Sequence, residues 1–379
     1  MELHHGIAGV VQYVSQCTAS APSNICYFQH FKTHVKSLFN FSSIEVYMRL
    51  VLFFFILIIA PFNFSLIGKE VHTLDAESRK QESEKLRELF AEYAKFYEMP
   101  ADVELKDITD ELLQSSYVKD TQKNSIQQFN RRILVFTYPS DGFKIKGLIS
   151  FVPDTENHPL LVFLRGGNRI FGILNPASDL MCFEQYTVIS TMYRGGVSEG
   201  EDEFGGNDVN DVKNLIDFIP KLENKLNLSF QNKKTYLLGG SRGGMEMFLF
   251  LARFPELQNQ FSKVVSLSGM LDMRQCIASR SDMEEMFIKD FGLEKGVNEE
   301  EWINKRDPLL TVDYIQPQLP ILIIQATDDN RVSLTEGCSM VSKLQVAGKN
   351  VTYWEIEGAK HCLSNIEERV DLILNWLEE

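Results

Sequence analysis

Apolar and polar positions follow different rules in successive parts of this chain, and each rule predicts a different kind of element. The first is a near-unbroken apolar run, "MRLVLFFFILIIAPFNFSLIG" from Met48 to Gly68, with Arg49 at its front and Pro61, Asn63 and Ser65 behind it. A basic start, a short apolar core and a polar tail predict a secretory signal peptide, with a single-pass membrane anchor as the alternative. Met48 stands where a signal peptide begins, so residues 1–47 read as an upstream extension arising from start-codon assignment; on the anchor reading they are a cytoplasmic tail. Cleavage of 48–68 implies export, to the periplasm or outside the cell, and retention implies membrane attachment through that segment.

From Asp75 to Pro100 the apolar residues Leu86, Leu89, Phe90, Tyr93, Phe96 and Tyr97 recur at i, i+3, i+4 and i+7, the spacing of one helix face. Pro100 stops the helix, and its stripe is expected to pack against its own domain. Residues 101–128 read as a second, polar helical or irregular piece, so 69–128 form a helical N-terminal segment. From Arg131 the period changes. "RRILVFTYPSDGFKIKGLISFVP" places two β runs around a Pro-Ser-Asp-Gly turn, a hairpin signal. Then "HPLLVFLRGGN", "YTVISTMYRGG", "KTYLLGGSRGG", "FSKVVSLSG" and "QLPILIIQATDD" are short apolar runs that end in glycine or polar residues, with helical patterns between several of them. This alternation predicts an α/β domain over 129–379, with a mostly parallel sheet, crossover helices and its chemistry at the carboxyl ends of the strands.

Composition removes several function classes. With 38 basic against 52 acidic residues the formal charge is −14, and no Lys/Arg cluster offers a nucleic-acid surface. The six cysteines, at 17, 26, 182, 276, 338 and 362, form neither a C-x-x-C pair nor a Cys/His metal spacing, so no metal or other cofactor is implied. The four in the body could pair if the protein is exported, but their scatter gives no disulfide framework and they read as small buried hydrophobes.

Candidate chemistry centres on "LLGGSRGG", residues 237–244, where Gly239-Gly240-Ser241-Arg242-Gly243 matches G-x-S-x-G between a strand pattern and a helix pattern. Such a turn leaves room only for glycine at its flanks and pushes the serine out alone above the sheet edge. Phosphate-loop and dinucleotide motifs both fail here, because there is no G-x-x-x-x-G-K-[ST] and Ser241 occupies the second glycine of a G-x-G-x-x-G. A serine hydroxyl needs a base to take its proton and an acid to orient that base. In this arrangement the chain order is Ser, acid, His. Of seven histidines only His361 follows Ser241, at the end of "YWEIEGAKHCL", and "ILIIQATDDNRV" ends another strand in Asp328 and Asp329.

At these residues the chain resembles the prolyl oligopeptidase family of serine peptidases, within the α/β-hydrolase superfamily. "YRGGVSEGEDEFGGNDVNDV" from Tyr193, "GGSRGG" from Gly239, "ATDDNRV" from Ala326 and "GAKH" from Gly358 match the family's motifs in order and spacing, and "NKRDPLLTVD" from Asn304 is similar to its segment before the acid-bearing strand. The resemblance runs from Ile133 to the C-terminus. It implies an α/β-hydrolase fold and a triad of Ser241, Asp329 and His361, the aspartate three residues before Val332 being the one selected. It departs at the oxyanion segment, usually His-Gly-Gly or Tyr-Gly and here "LRGGNRIFG", and at Ala326, where glycine is usual. The expected oxyanion donors are therefore backbone N–H groups, of Arg242 and of Gly167 or Asn168. Arg165 reads as a strand-end ion pair or as a clamp for a substrate carboxylate. About 60 residues between Gly68 and the hairpin are too few for the family's β-propeller, and no counterpart of its amine-binding glutamate pair is identifiable. Residues 272–301 fall where such hydrolases insert lid helices. The expected function is a serine hydrolase of small peptides or acyl esters working through an acyl-enzyme. A carboxylesterase is the alternative, and a catalytically inert binding protein of the same fold is the reading from another class.

Overall fold

The computed structural model describes residues 76–153, 158–183, 186–230 and 234–379. The expectations for 1–47 and 48–68 lie outside the described residues. Helix α1, Ala76–Phe96, carries the N-terminal stripe. Tyr93, Phe96 and Tyr97 are buried, Phe90 packs edge-on against Phe171 with ring centroids 5.2 Å apart, and Tyr97 Oη donates to Leu174 O at 2.8 Å. The stripe thus covers the loop that follows the fourth strand.

Next come β1 (Leu105–Asp107), α2 (Thr109–Gln114) and α3 (Asp120–Gln128). Strand β1 lies inside the segment expected to be helical or irregular. Three residues are too short to show a period, and the strand exists because its backbone pairs with the hairpin: Leu105 faces Phe136, and Arg132 donates from Nε to Asp107 at 2.9 Å. The hairpin is β2 (Arg132–Ser140) and β3 (Phe143–Phe151), turning at Asp141 and Gly142.

The remaining strands alternate with helices: β4 (Leu160–Leu164), β5 (Thr187–Thr191), α4 (Val209–Leu226), β6 (Thr235–Gly240), α5 (Arg242–Arg253), β7 (Lys263–Leu267), α6 (Met273–Ser279), α7 (Ser281–Asp290), α8 (Glu299–Asn304), β8 (Ile321–Ala326), α9 (Leu334–Val346), β9 (Val351–Ile356) and α10 (Arg369–Glu378). They make one nine-stranded sheet, in the order β1-β2-β3-β5-β4-β6-β7-β8-β9. Pairing is parallel from β5 through β4, β6, β7 and β8 to β9, and antiparallel from β1 through β2 and β3 to β5. Side chains alternate between two apolar cores, one on each face: Val162 and Leu164 of β4 enter one, and Leu161 and Phe163 the other. Burial on both faces explains why β4 and the first four residues of β8 read as continuous apolar runs. The expected lid segment forms α6, α7 and α8, with Phe287 of α7 packed against Phe204, Phe291 and Trp302.

Candidate active site

Ser241 occupies the sharp corner between β6 and α5, with φ 56° and ψ −123°. A non-glycine residue in this region carries about 1–3 kcal/mol of backbone strain and persists only where its surroundings hold it. Here Ser241 N–H donates to Leu267 O at 3.0 Å, and Ser241 O accepts from Met270 and Gly244 at 3.1 and 2.9 Å. The flanking glycines are required sterically. A Cβ on Gly243 would lie 1.9 Å from Leu164 O, and one on Gly239 would lie 2.2 Å from Gly243 O. Across the corner, the end of β4 approaches so closely that a Cβ on Gly166 would lie 2.9 Å from Ser241 Cβ.

Asp329 and His361 come from the loops after β8 and β9. His361 Nδ1 lies 2.7 Å from Asp329 Oδ2, while Asp329 Oδ1 accepts the N–H groups of Arg331 and Val332 at 2.8 and 3.0 Å. The Asp329 side chain is fully buried and that of His361 is 18% exposed. Asp328 is exposed; its backbone N–H donates to Ala359 O at 3.0 Å and its carboxylate does not reach the ring. Burial pushes the Asp329 carboxyl up, but the His361 hydrogen bond and charge, with the Val332 and Arg331 amides, outweigh it and hold the group below its ordinary value. A carboxylate only accepts, so His361 Nδ1 carries a proton, and in the neutral ring Nε2 presents a lone pair. For His361 itself burial opposes the charged form, while the Cys362 sulfur and the Asp329 carboxylate favour it and raise its pKa above 6.5.

The histidine loop meets the serine corner at one carbonyl. Leu267 O, which accepts Ser241 N–H, is also 3.7 Å from Cys362 Sγ, and Cys362 N–H donates to Ser268 Oγ at 3.0 Å. Among the described residues Ser241 Oγ and the His361 ring share no hydrogen bond. Catalytic hydrogen bonds often close only around substrate.

The oxyanion segment shows what sequence reasoning missed. Arg165 is neither an ion pair nor a clamp facing substrate. It is buried, and its guanidinium donates to Gly166 O at 2.9 Å and Met192 O at 2.7 Å while lying 5.1 Å over the Tyr193 ring. Burial at the strand end leaves it only backbone carbonyls as partners. Arg242, 1% exposed, donates to Gly167 O at 3.0 Å, to Asp202 Oδ2 at 2.9 Å, to Glu246 Oε1 at 2.9 Å and to Asp208. Asp202 Oδ2 also takes the Arg169 N–H at 2.7 Å. The Arg242–Glu246 pair was legible as an i,i+4 spacing on a helix; the two aspartates lay in the quoted Gly-Gly motif with no role attached. The Asn168 side chain turns to α7, with Nδ2 2.9 Å from Met286 Sδ, and its backbone pairs with that of Phe171 in an antiparallel bridge, so of the two expected loop donors Gly167 is the one left open. Among the described residues, neither the N–H of Arg242 nor that of Gly167 meets an acceptor.

A cavity of about 710 Å³, between Glu203, Arg253, Trp302 and Tyr314, contains none of Ser241, Asp329 and His361 in its wall. Among the described residues no group of three or more His, Cys, Asp and Glu side chains is arranged to hold a metal ion. Free cysteines at 182 and 276 are buried, where apolar surroundings raise their thiol pKa values, and Cys362 is half-buried.

Known proteins are similar to this chain in sequence and in fold. The sequence pattern of the prolyl oligopeptidase family matches residues 179–379. A Bacillus subtilis protein named "Uncharacterized peptidase YtmA" is 27% identical over 253 residues, covering 65% of this chain and 93% of its own length. The mouse acylamino-acid-releasing enzyme is 24% identical over 59% of this chain, which spans 32% of that enzyme's length. The acylaminoacyl peptidase of Pyrococcus horikoshii superposes with a TM-score of 0.54 at 20% identity, over 65% of this chain and 41% of that one, which is a likeness of fold.

Proposed function

Since the chain belongs to the prolyl oligopeptidase family and is a serine hydrolase of the α/β-hydrolase fold, we propose that it cleaves small peptides or acyl esters through an acyl-enzyme on Ser241. Ser241 Oγ attacks the substrate carbonyl as His361 Nε2 takes its proton, and the same proton passes to the leaving amine or alcohol. Water then repeats the sequence on the acyl-enzyme. Asp329 holds the imidazole in the tautomer with Nε2 free and stabilises the imidazolium that forms. The backbone N–H groups of Arg242 and Gly167 receive the oxyanion; removing one such donor typically costs about 10²–10³ in kcat.

The observation that carries this reading is the 2.7 Å Asp329–His361 contact on a loop that joins the serine corner at the Leu267 carbonyl. A fluorophosphonate probe on the purified full chain, beside Ser241→Ala, tests it. Labelling that disappears in the variant supports an activated serine, and the ratio of ester to peptide-amide turnover then separates esterase from peptidase. A folded protein that takes no label refutes the acyl-enzyme and leaves the inert binding protein.

A further inference from the structure

Two arginines lie beneath the peptides that the acyl-enzyme reading assigns to the oxyanion. Arg165 donates to Gly166 O at 2.9 Å and Arg242 to Gly167 O at 3.0 Å, so consecutive carbonyls each bind a buried guanidinium. In a planar trans peptide the C=O and N–H point in opposite directions. Holding the Gly166 carbonyl therefore aims the Gly167 N–H away from Arg165, and holding the Gly167 carbonyl fixes the other side of the same residue, ahead of Asn168, whose backbone is bridged to Phe171. A charged donor on the carbonyl also polarises the peptide and strengthens its N–H as a donor.

The arginines are themselves fixed. Both lie 5.1 Å from the centroid of the buried Tyr193 ring, and Arg242 lies 4.4 Å from that of Phe204. Tyr193 Oη donates back to Arg165 O at 3.3 Å. Asp202, Asp208 and Glu246 surround Arg242 and offset the repulsion between the two cations. Asp202 Oδ2 ties Arg242 to the Arg169 amide, so the loop is held on both sides of Asn168. Cations placed only to neutralise buried acids would not need to grip consecutive carbonyls of the loop that overlies Ser241.

We propose that the Arg165 and Arg242 side chains are positioning residues for the oxyanion site, orienting and polarising the Gly166–Gly167 peptide and fixing Gly167 from both sides against the serine corner. The inference rests on the acyl-enzyme reading and deepens it. Neither guanidinium touches substrate.

The test compares full-length wild type, Arg165→Lys and Arg242→Lys. Lysine keeps the charge, but its single ammonium cannot span Gly167 O, Asp202 and Asp208 together. Readouts are the fluorophosphonate labelling rate, kcat and KM for p-nitrophenyl butyrate, and affinity for an alkyl trifluoromethyl ketone, which forms a tetrahedral adduct. The expected result is a loss of about 10- to 100-fold in labelling rate and kcat, less than deletion of a donor costs. KM stays unchanged and ketone affinity falls in step with kcat/KM, which loosened packing alone would not produce. Should a lysine variant fail to fold, Asp202→Asn, of the same shape, tests the tie between Arg242 and Arg169 with the same readouts. Folded variants within threefold of wild type overturn the inference and leave the acyl-enzyme standing. A wild type that takes no label overturns both.

Discussion

Replacing Asp329 with asparagine isolates the tautomer argument, and the structure says which way the new amide turns. Asp329 Oδ1 accepts two backbone N–H groups, from Arg331 at 2.8 Å and Val332 at 3.0 Å, and only the amide oxygen can keep both. The amide nitrogen then occupies the Oδ2 position, 2.7 Å from His361 Nδ1, and can only donate. Nδ1 is forced to accept, the ring proton moves to Nε2, and His361 loses the lone pair that would take the Ser241 proton. The same change in a serine protease triad lowers kcat by about 10⁴, which is about 5.5 kcal/mol at 1.36 kcal/mol per decade. Because the isosteric amide keeps both backbone bonds, the variant should stay folded, its melting temperature lowered only by loss of the charge that raises the His361 pKa. Steady-state kcat on p-nitrophenyl butyrate, with ¹⁵N NMR of the His361 tautomer, checks both halves. A variant within tenfold of wild type, or a ring still protonated at Nδ1, would refute the reasoning.

The acid limb of kcat/KM should lie above pH 6.5. The base must be neutral to act, activity therefore falls as pH drops through the His361 pKa, and that pKa is raised by Cys362 and Asp329 against the pull of burial; a limb at or below 6.5 in a pH–rate profile contradicts this. By linkage the same raised pKa contributes stability that is full below 6.5 and is lost as pH rises through the folded-state value, readable in urea midpoints across that window. Gly243→Ala places a methyl 1.9 Å from Leu164 O, so β4 and α5 must separate by about 1 Å, a displacement that can cost 10²-fold in rate. Fluorophosphonate labelling at least 10²-fold slower, or loss of the folded protein by circular dichroism, is the expected result, and an active variant would show that the corner is not closely packed.

Local chemistry carried much of this protein into view before any coordinates. The turn "GGSRGG" requires glycine on both sides of Ser241, and the period-2 and period-3.6 stretches on either side make the corner a strand-to-helix junction. The hairpin at Asp141-Gly142 and the α1 stripe are local in the same sense, since each is decided by residues within a few positions of one another. Strand β1 was not legible, because three residues have no period and their conformation comes from a partner strand.

Arg165 shows the limit most clearly. By sequence it is a charge at a strand end, and an ion pair or substrate clamp was the natural expectation. Its actual partners are the carbonyl of the next residue, Gly166, and the Met192 carbonyl and Tyr193 ring, the latter two brought to it because β5 pairs with β4 in the sheet. The choice between Asp328 and Asp329 has the same character. From the residues alone both end the strand, and only the turn that wraps Oδ1 around the Arg331 and Val332 amides aims the second of them at His361. Sequence by itself determined the longer elements, the serine corner, the Ser-acid-His order and the family, because backbone sterics and periodicity act over neighbouring residues. Tertiary structure alone decided which buried charges pair, which carbonyls they hold and how the loops meet at Leu267, because those contacts depend on strand order and on desolvation, which act between residues far apart in the chain.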